Sequence, residues 1–274
     1  MSKDRSEIIS ATDLSRYSIK EIKLNVESLE VSDRESFIKL LRNDGRVACQ
    51  QIAKTMERKM ELRRLEIERL EKIVQFEQLA WQNGYCFVAG LDEAGRGPLI
   101  GPVVAAAVIL KPDMDFTGID DSKKLSAEQR ERLFDVIVSE AVSYGIGVAD
   151  HIEIDEINIL NATKLAMSRA ISAMEIAPDY LLIDALKLPN IDLPQKDIIK
   201  GDSKSVSIAA ASILAKVSRD RMMLKLAKMY PDYGFESNKG YGTDVHYKAI
   251  RAHGLLPEHR RSFLKGVENE DLPK

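Results

Sequence analysis

Cysteine is scarce in this chain of 274 residues: Cys49 and Cys86 are the only two. That excludes a disulfide framework, and the four histidines have no zinc-site spacing with them. Both thiols are expected to be small buried hydrophobes in a reducing compartment. Long apolar runs are missing as well. The longest mainly apolar stretch, Pro98 to Leu110, is too short to cross a membrane. The first residues, Met1-Ser2-Lys3-Asp4-Arg5, are charged where a secretory signal needs an apolar segment. The expectation is a cytoplasmic protein with no membrane partner. Proline and glycine are absent from Val47 to Gln82, which predicts one long helix ending at Asn83-Gly84. Two phosphate-binding signatures are also absent. No Gly-Lys-Ser or Gly-Lys-Thr closes a phosphate loop. Three residues separate Gly97 from Gly101, where a dinucleotide loop has two, and β-branched strand residues follow in place of a helix.

What is present begins with a core. Apolar residues make up 45% of the chain, enough for one large globular domain or two unequal ones. The net charge of −3 conceals an asymmetry. Residues 200–265 hold thirteen Lys/Arg against six Asp/Glu, while residues 1–199 carry a net −8. A basic third suits a polyanion-binding face; a solvated basic helix face gives the same count. Residues 1–84 read as a helical extension, 85–267 as a sheet-containing catalytic domain and 268–274 as an acidic tail. Ser18 with Glu21, and Ser32 with Glu35, form capping-box pairs ahead of short amphipathic helices, and Asn43-Asp44-Gly45 ends the second. The long helix keeps no strict heptad, so a coiled coil is not expected.

The stretch from Tyr85 to Leu110 carries the chemistry. An apolar run reaches Asp92-Glu93, the turn Gly95-Arg96-Gly97 follows, and a second apolar run covers Val103 to Leu110. Adjacent carboxylates at the end of a buried strand are costly to desolvate unless a cation meets them. Hard oxygen ligands favour magnesium, manganese or calcium. Further strands are predicted over 144–148, 180–184 and 197–200. Helices are predicted from Ser126, over Asn158 to Met174, from Gly201 to about Met229, and from Thr243 to Gly254. Three closely spaced strands suggest an antiparallel meander, and the wholly apolar Tyr180–Ile183 suggests a central strand covered on both faces. Strands one and four can then run parallel side by side, with Asp92 and Asp184 at their carboxyl ends. Asp202 lies just past strand five. Four carboxylates, Asp92, Glu93, Asp184 and Asp202, can therefore converge. Alone they would raise one another's pKa values. Two divalent cations ~3.5–4 Å apart would resolve that, and suit an in-line phosphoryl displacement.

Six motifs then occur in order. They are Gly90-Leu91-Asp92-Glu93-Ala94-Gly95-Arg96-Gly97-Pro98, Asp121-Ser122-Lys123-Lys124-Leu125, Leu182-Ile183-Asp184, Lys200-Gly201-Asp202-Ser203, Ala209 through Asp220, and Gly240-Tyr241-Gly242-Thr243. From about Tyr85 to Val267 the chain resembles ribonuclease HII. The resemblance implies an α/β, ribonuclease H-like fold: a mixed five-stranded sheet flanked by helices, with residues 1–84 as an N-terminal helical extension to which nothing carries over. It implies an endonuclease using Mg2+ or Mn2+; a monomer is the separate expectation. The implied partners are RNA–DNA hybrid and duplex DNA containing single ribonucleotides, cut on the 5′ side of the ribonucleotide to leave 3′-hydroxyl and 5′-phosphate ends. By the same resemblance Asp92, Glu93, Asp184 and Asp202 are the catalytic metal ligands. Gly95, Arg96 and Gly97 would read the 2′-hydroxyl through backbone groups, and Tyr241 would stack on the neighbouring deoxyribose. Lys123, Ser203, Lys204, Lys216 and Arg219 are candidate phosphate or supporting contacts, with an Arg219–Asp220 ion pair as the alternative for Arg219. His246 is expected to be structural. Ala185 stands where the commoner pattern has glycine. The related ribonuclease HIII is expected to lack Gly-Arg-Gly at this place. A non-catalytic duplex-binding module would gain nothing from four acids near phosphates.

Overall fold

In the computed structural model, residues 14–264 are described, and they divide into two compact units between Arg69 and Leu70. The acidic tail lies outside the described residues. In the first unit, α1 (Ile19–Glu27) and α2 (Arg34–Asn43) share a core with the first turns of α3 (Val47–Ile73). Phe37, Leu41, Ile22, Cys49 and Met56 fill it. The Ser18–Glu21 capping box forms, with the Ser18 N–H donating to Glu21 at 2.7 Å. The Ser32–Glu35 box does not. A short 3-10 turn, Val31–Asp33, runs straight into α2, so Ser32 never occupies the cap position and instead donates to Asp33 at 3.2 Å. Arg46 closes the break between α2 and α3 by donating to the Leu14 and Tyr17 carbonyls at 2.8 and 2.7 Å.

The single helix expected from Val47 to Gln82 is two. After α3, Val74 turns the chain into α4 (Gln75–Gln82). No proline or glycine causes this. Ile73 packs in one cluster of the second unit and Ala80 in another, so packing bends the chain.

The second unit holds the sheet: β1 (Val88–Ala94), β2 (Val103–Ile109), β3 (Ser143–Ala149), β4 (Tyr180–Asp184) and β5 (Gln195–Ile198), in the order β3-β2-β1-β4-β5. The first three form the expected antiparallel meander. β4 runs parallel to β1 with Leu91 beside Ile183, and β5 runs parallel to β4. β2 is buried throughout, and its alternation feeds both faces. Ala106 and Val108 meet α5 (Ala127–Glu140) and the small-residue face of α7 (Val206–Met229). Ala105, Ala107 and Ile109 meet α6 (His151–Ser172). The helices come very near. A Cβ on Gly90 would stand 2.1 Å from the Ser207 backbone, and one on Gly147 2.0 Å from the Ala166 carbonyl, so only glycine admits that packing.

Two boundaries differ from expectation for local reasons. α6 starts at His151 behind an Asp150–Glu153 capping box, then breaks at Asn158, whose left-handed backbone lets its own Oδ1 cap the next turn at Leu160 and Asn161. β5 ends at Ile198 because Lys200 turns left-handed, at φ 57°, into the 3-10 turn Gly201–Ser203. Cys49 is buried as expected, but Cys86 is exposed, lying just ahead of β1.

Candidate metal centre and substrate cleft

Three backbone elements deliver three carboxylates to one point. Asp92 leaves the end of β1, Asp184 the end of the parallel neighbour β4, and Asp202 the 3-10 turn before α7. One oxygen from each lies within 4.8 Å of the others. The turn is tied to β4 directly, since the Gly201 N–H donates to Asp184 Oδ1 at 2.7 Å. The Glu93 N–H donates back to Asp92 Oδ1 at 2.7 Å. Glu93 itself lies beside the trio, half-buried, with Oε1 taking Arg96 at 3.2 Å and Oε2 buried without a partner.

The electrostatics are those of a site short of positive charge. Burial, then the Glu93 and Asp184 charges, hold the Asp92 carboxyl well above the usual carboxylate range. Burial also raises Asp184, with the Gly201 bond opposing and Asp202 adding. Glu93 is raised by burial although Arg96 opposes it. The exposed Lys123 offers its ammonium to Asp202 Oδ2 at 3.3 Å. Burial would lower this lysine, but Asp202 carries it above its ordinary value. A trio of converging hard oxygens plus an orphaned carboxylate oxygen fits divalent magnesium or manganese.

A cleft of about 340 Å³ opens beside the acids. Asp92 and Glu93 line it together with Gly95, Arg96, Gly97, Lys123, Lys216, Arg219 and Tyr241. The Gly-Arg-Gly turn and the tyrosine, far apart in sequence, thus face the same space.

Comparison with known proteins decides the family. The family model described as Ribonuclease HII matches residues 89–265, and the one described as Ribonuclease HII N-terminal domain matches residues 18–81. The ribonuclease HII of Clostridioides difficile is 53% identical over 91% of this chain and 98% of its own length. The chain belongs to the ribonuclease HII family. It is a metal-dependent endoribonuclease. The crystal structure of ribonuclease H2 from Pyrococcus horikoshii covers 65% of this chain and 93% of its own, at 30% identity and TM-score 0.54. The RNase HII of the PCNA:RNase HII complex from Archaeoglobus fulgidus covers 65% and 94%, at 27% identity and TM-score 0.57. Residues 18–81, from which no motif was legible, therefore match a ribonuclease HII family model of their own.

Not every residue that the ribonuclease HII resemblance named reaches the cleft. Ser203 donates its hydroxyl to the Lys200 carbonyl at 3.0 Å, and Lys204 is exposed; neither lines the cleft. Arg219 forms no hydrogen-bonded pair with Asp220, which takes Lys216 at 2.8 Å. Arg219 is instead buried and donates to the carbonyls of Pro102, Lys239 and Ile100. Burial pushes its pKa down to about 10.

Two residues of this ribonuclease HII had no sequence signal. Arg260 is fully buried and donates to Gly95 O at 2.6 Å, Pro98 O at 2.8 Å, Gly101 O at 2.9 Å and Arg96 O at 3.0 Å. It holds the Gly-Arg-Gly turn by the Gly95 and Arg96 carbonyls and by those of Pro98 and Gly101 after it, and burial lowers its pKa to about 9. Glu77 of α4 is fully buried and accepts from Ser205 Oγ at 2.5 Å and the Ser207 N–H at 2.9 Å, at the start of α7. Burial raises the Glu77 pKa, and its Oε1 caps the start of that helix, three residues past Asp202.

Proposed function

We propose that this ribonuclease HII cuts duplex nucleic acid at the 5′ side of a ribonucleotide, leaving 3′-hydroxyl and 5′-phosphate ends, on RNA–DNA hybrids and on DNA carrying single ribonucleotides. The observation that carries the reading is the convergence of Asp92, Asp184 and Asp202 beside a cleft shared by Gly95-Arg96-Gly97 and Tyr241. Asp92, Asp184 and Asp202, with Glu93, hold Mg2+ or Mn2+. Held there, such cations would supply activation of water and compensation of charge on the leaving oxygen.

The chain's own residues do the rest. Arg260 turns the carbonyls of the Gly-Arg-Gly turn inward, leaving its other backbone groups free to meet a 2′-hydroxyl. A site whose polar groups expect a hydroxyl rejects its absence by ~10⁴-fold or more, because those groups are then left unpaired. Tyr241, 46% exposed on the cleft rim, stacks on the following deoxyribose. Lys123 and Lys216 neutralise phosphate from within the cleft; Ser203 and Lys204 act from outside it. The chain is taken to act as a monomer, and the nucleic-acid substrate supports a cytoplasmic setting.

The test is Asp92→Asn and Asp184→Asn. Each removes a charge that the cations require and leaves the phosphate contacts. Cleavage is expected to vanish while duplex binding persists. Activity within a few-fold of the parent at saturating magnesium would remove that residue from the metal set.

A further inference from the structure

Beneath Tyr241 lies a buried chain of two imidazoles. His246, on α8 (Asp244–His253), and His259 are both fully buried. Their Nε2 atoms are 3.0 Å apart. His246 Nδ1 stands 3.0 Å from the Tyr241 carbonyl oxygen, and the Leu256 N–H donates to His259 Nδ1 at 2.8 Å. Tyr233 packs on both rings and Phe235 on that of His246.

The two ends fix the protons. A backbone N–H only donates, so His259 Nδ1 is bare and its proton sits on Nε2. That proton points at His246 Nε2, which must accept it. The His246 proton is therefore on Nδ1, facing a carbonyl that only accepts. One arrangement of the neutral pair satisfies every contact. A further proton has nowhere to go: on His259 it would meet the Leu256 N–H, and on His246 the His259 proton. Burial keeps both rings neutral, with His259 pushed down to about 4, the neighbouring His246 and the Arg261 charge adding to its shift.

The chain ends on a residue of the cleft. Tyr241 is held by its backbone: its N–H donates to the Asn238 carbonyl at 2.9 Å, and its own carbonyl accepts from Thr243 N–H at 2.8 Å as well as from His246. We propose that His259 and His246 are positioning residues for substrate choice, His259 setting the tautomer with which His246 fixes Tyr241 against the sugar that follows a ribonucleotide. This rests on the reading of Tyr241 given above. Without His259 only the Tyr241 carbonyl itself opposes a proton on His246 Nε2, the tautomer that turns a lone pair toward that carbonyl and repels it. The acids do not touch this chain. Its loss should therefore weigh on the ribonucleotide–deoxyribonucleotide junction, where the ring meets deoxyribose, more than on a continuous hybrid.

The experiment compares kcat/KM on a DNA duplex with one ribonucleotide against a fully RNA–DNA hybrid, for the full chain and five variants. His246→Asn keeps an N–H near the Nδ1 position and His259→Gln one near Nε2; both should retain the parental ratio. His246→Leu and His259→Leu should lower it several-fold, roughly what one buried hydrogen bond contributes. Tyr241→Ala serves as the reference. If Tyr241→Ala leaves the ratio unchanged, the stacking reading fails, and this inference with it. If Tyr241→Ala lowers the ratio and the leucine variants do not, the positioning role alone is overturned. Should the leucine variants not fold, nitrogen-15 spectra of the parent protein decide. Protons on His246 Nδ1 and His259 Nε2 at neutral pH support the chain; the opposite tautomers, or a charged ring, overturn it.

Discussion

Gly97 faces the ring of Tyr241: a Cβ on Gly97 would stand 3.4 Å from Tyr241 Cε1, an ordinary contact with nothing else nearby. Gly95, two residues earlier, is different. Its φ is +95°, and a Cβ there would stand 2.0 Å from Arg219 Nε and 2.8 Å from the Pro102 carbonyl. One glycine shapes the turn and the other leaves room in the cleft. Gly97→Ala should therefore keep the thermal transition of the parent and cut cleavage of a single-ribonucleotide duplex more than about tenfold, the methyl standing where sugar must approach. Gly95→Ala should lose both stability and activity. A fully active Gly97→Ala would mean that the backbone does not come near the ribose.

The N-terminal residues should be separable up to a defined point. The division into compact units falls at Arg69/Leu70, and Glu77 beyond it braces the start of α7. Removing residues 1–69 should leave a cooperative thermal transition. Removing residues 1–84 takes away Glu77 and the Ala80 contact with Val88, Leu182, Ile198 and Ile208, and should cost several kcal/mol, as buried large-to-small changes do (about 2–5 each). Equal transition temperatures for the two truncations would show that α4 contributes nothing to the catalytic fold.

The histidine pair makes a pH signature. The His259 pKa falls from 6.5 unfolded to about 4 folded. The unfolded chain then takes up the proton first on acidification, so this contribution is fully present above 6.5 and is lost as pH falls toward 4. The difference in melting temperature between the parent and His259→Gln should therefore shrink across that window. A difference that stays constant with pH would show that His259 is not held neutral.

The convergence of the carboxylates was legible because strands announce themselves. β4 is apolar until Asp184 and β1 until Asp92, so both acids mark carboxyl ends, and the meander makes β1 and β4 neighbours. Asp202 followed from its position before a helix rich in small residues. The Arg219 and Arg260 roles were not legible. An arginine satisfied by backbone carbonyls needs no acidic partner and leaves no periodic trace, so Arg219 read as a phosphate or supporting contact, or else as half of an ion pair with Asp220. Glu77 looked like any charge on a helix, because its burial depends on α4 meeting the start of α7. The Ser32 box failed because the chain entered the helix through a 3-10 turn, which the capping pattern does not encode.

The most direct measurement is incubation of the full chain with a DNA duplex containing one ribonucleotide, with magnesium or manganese, followed by mapping of the product ends. The expected result is a single cut on the 5′ side of the ribonucleotide, a 3′-hydroxyl and a 5′-phosphate, no cut in all-DNA duplex, and full loss with a chelator. Cleavage that survives the chelator, or a cut on the 3′ side of the ribonucleotide, would contradict the assignment of Asp92, Glu93, Asp184 and Asp202 as its metal-holding catalytic centre.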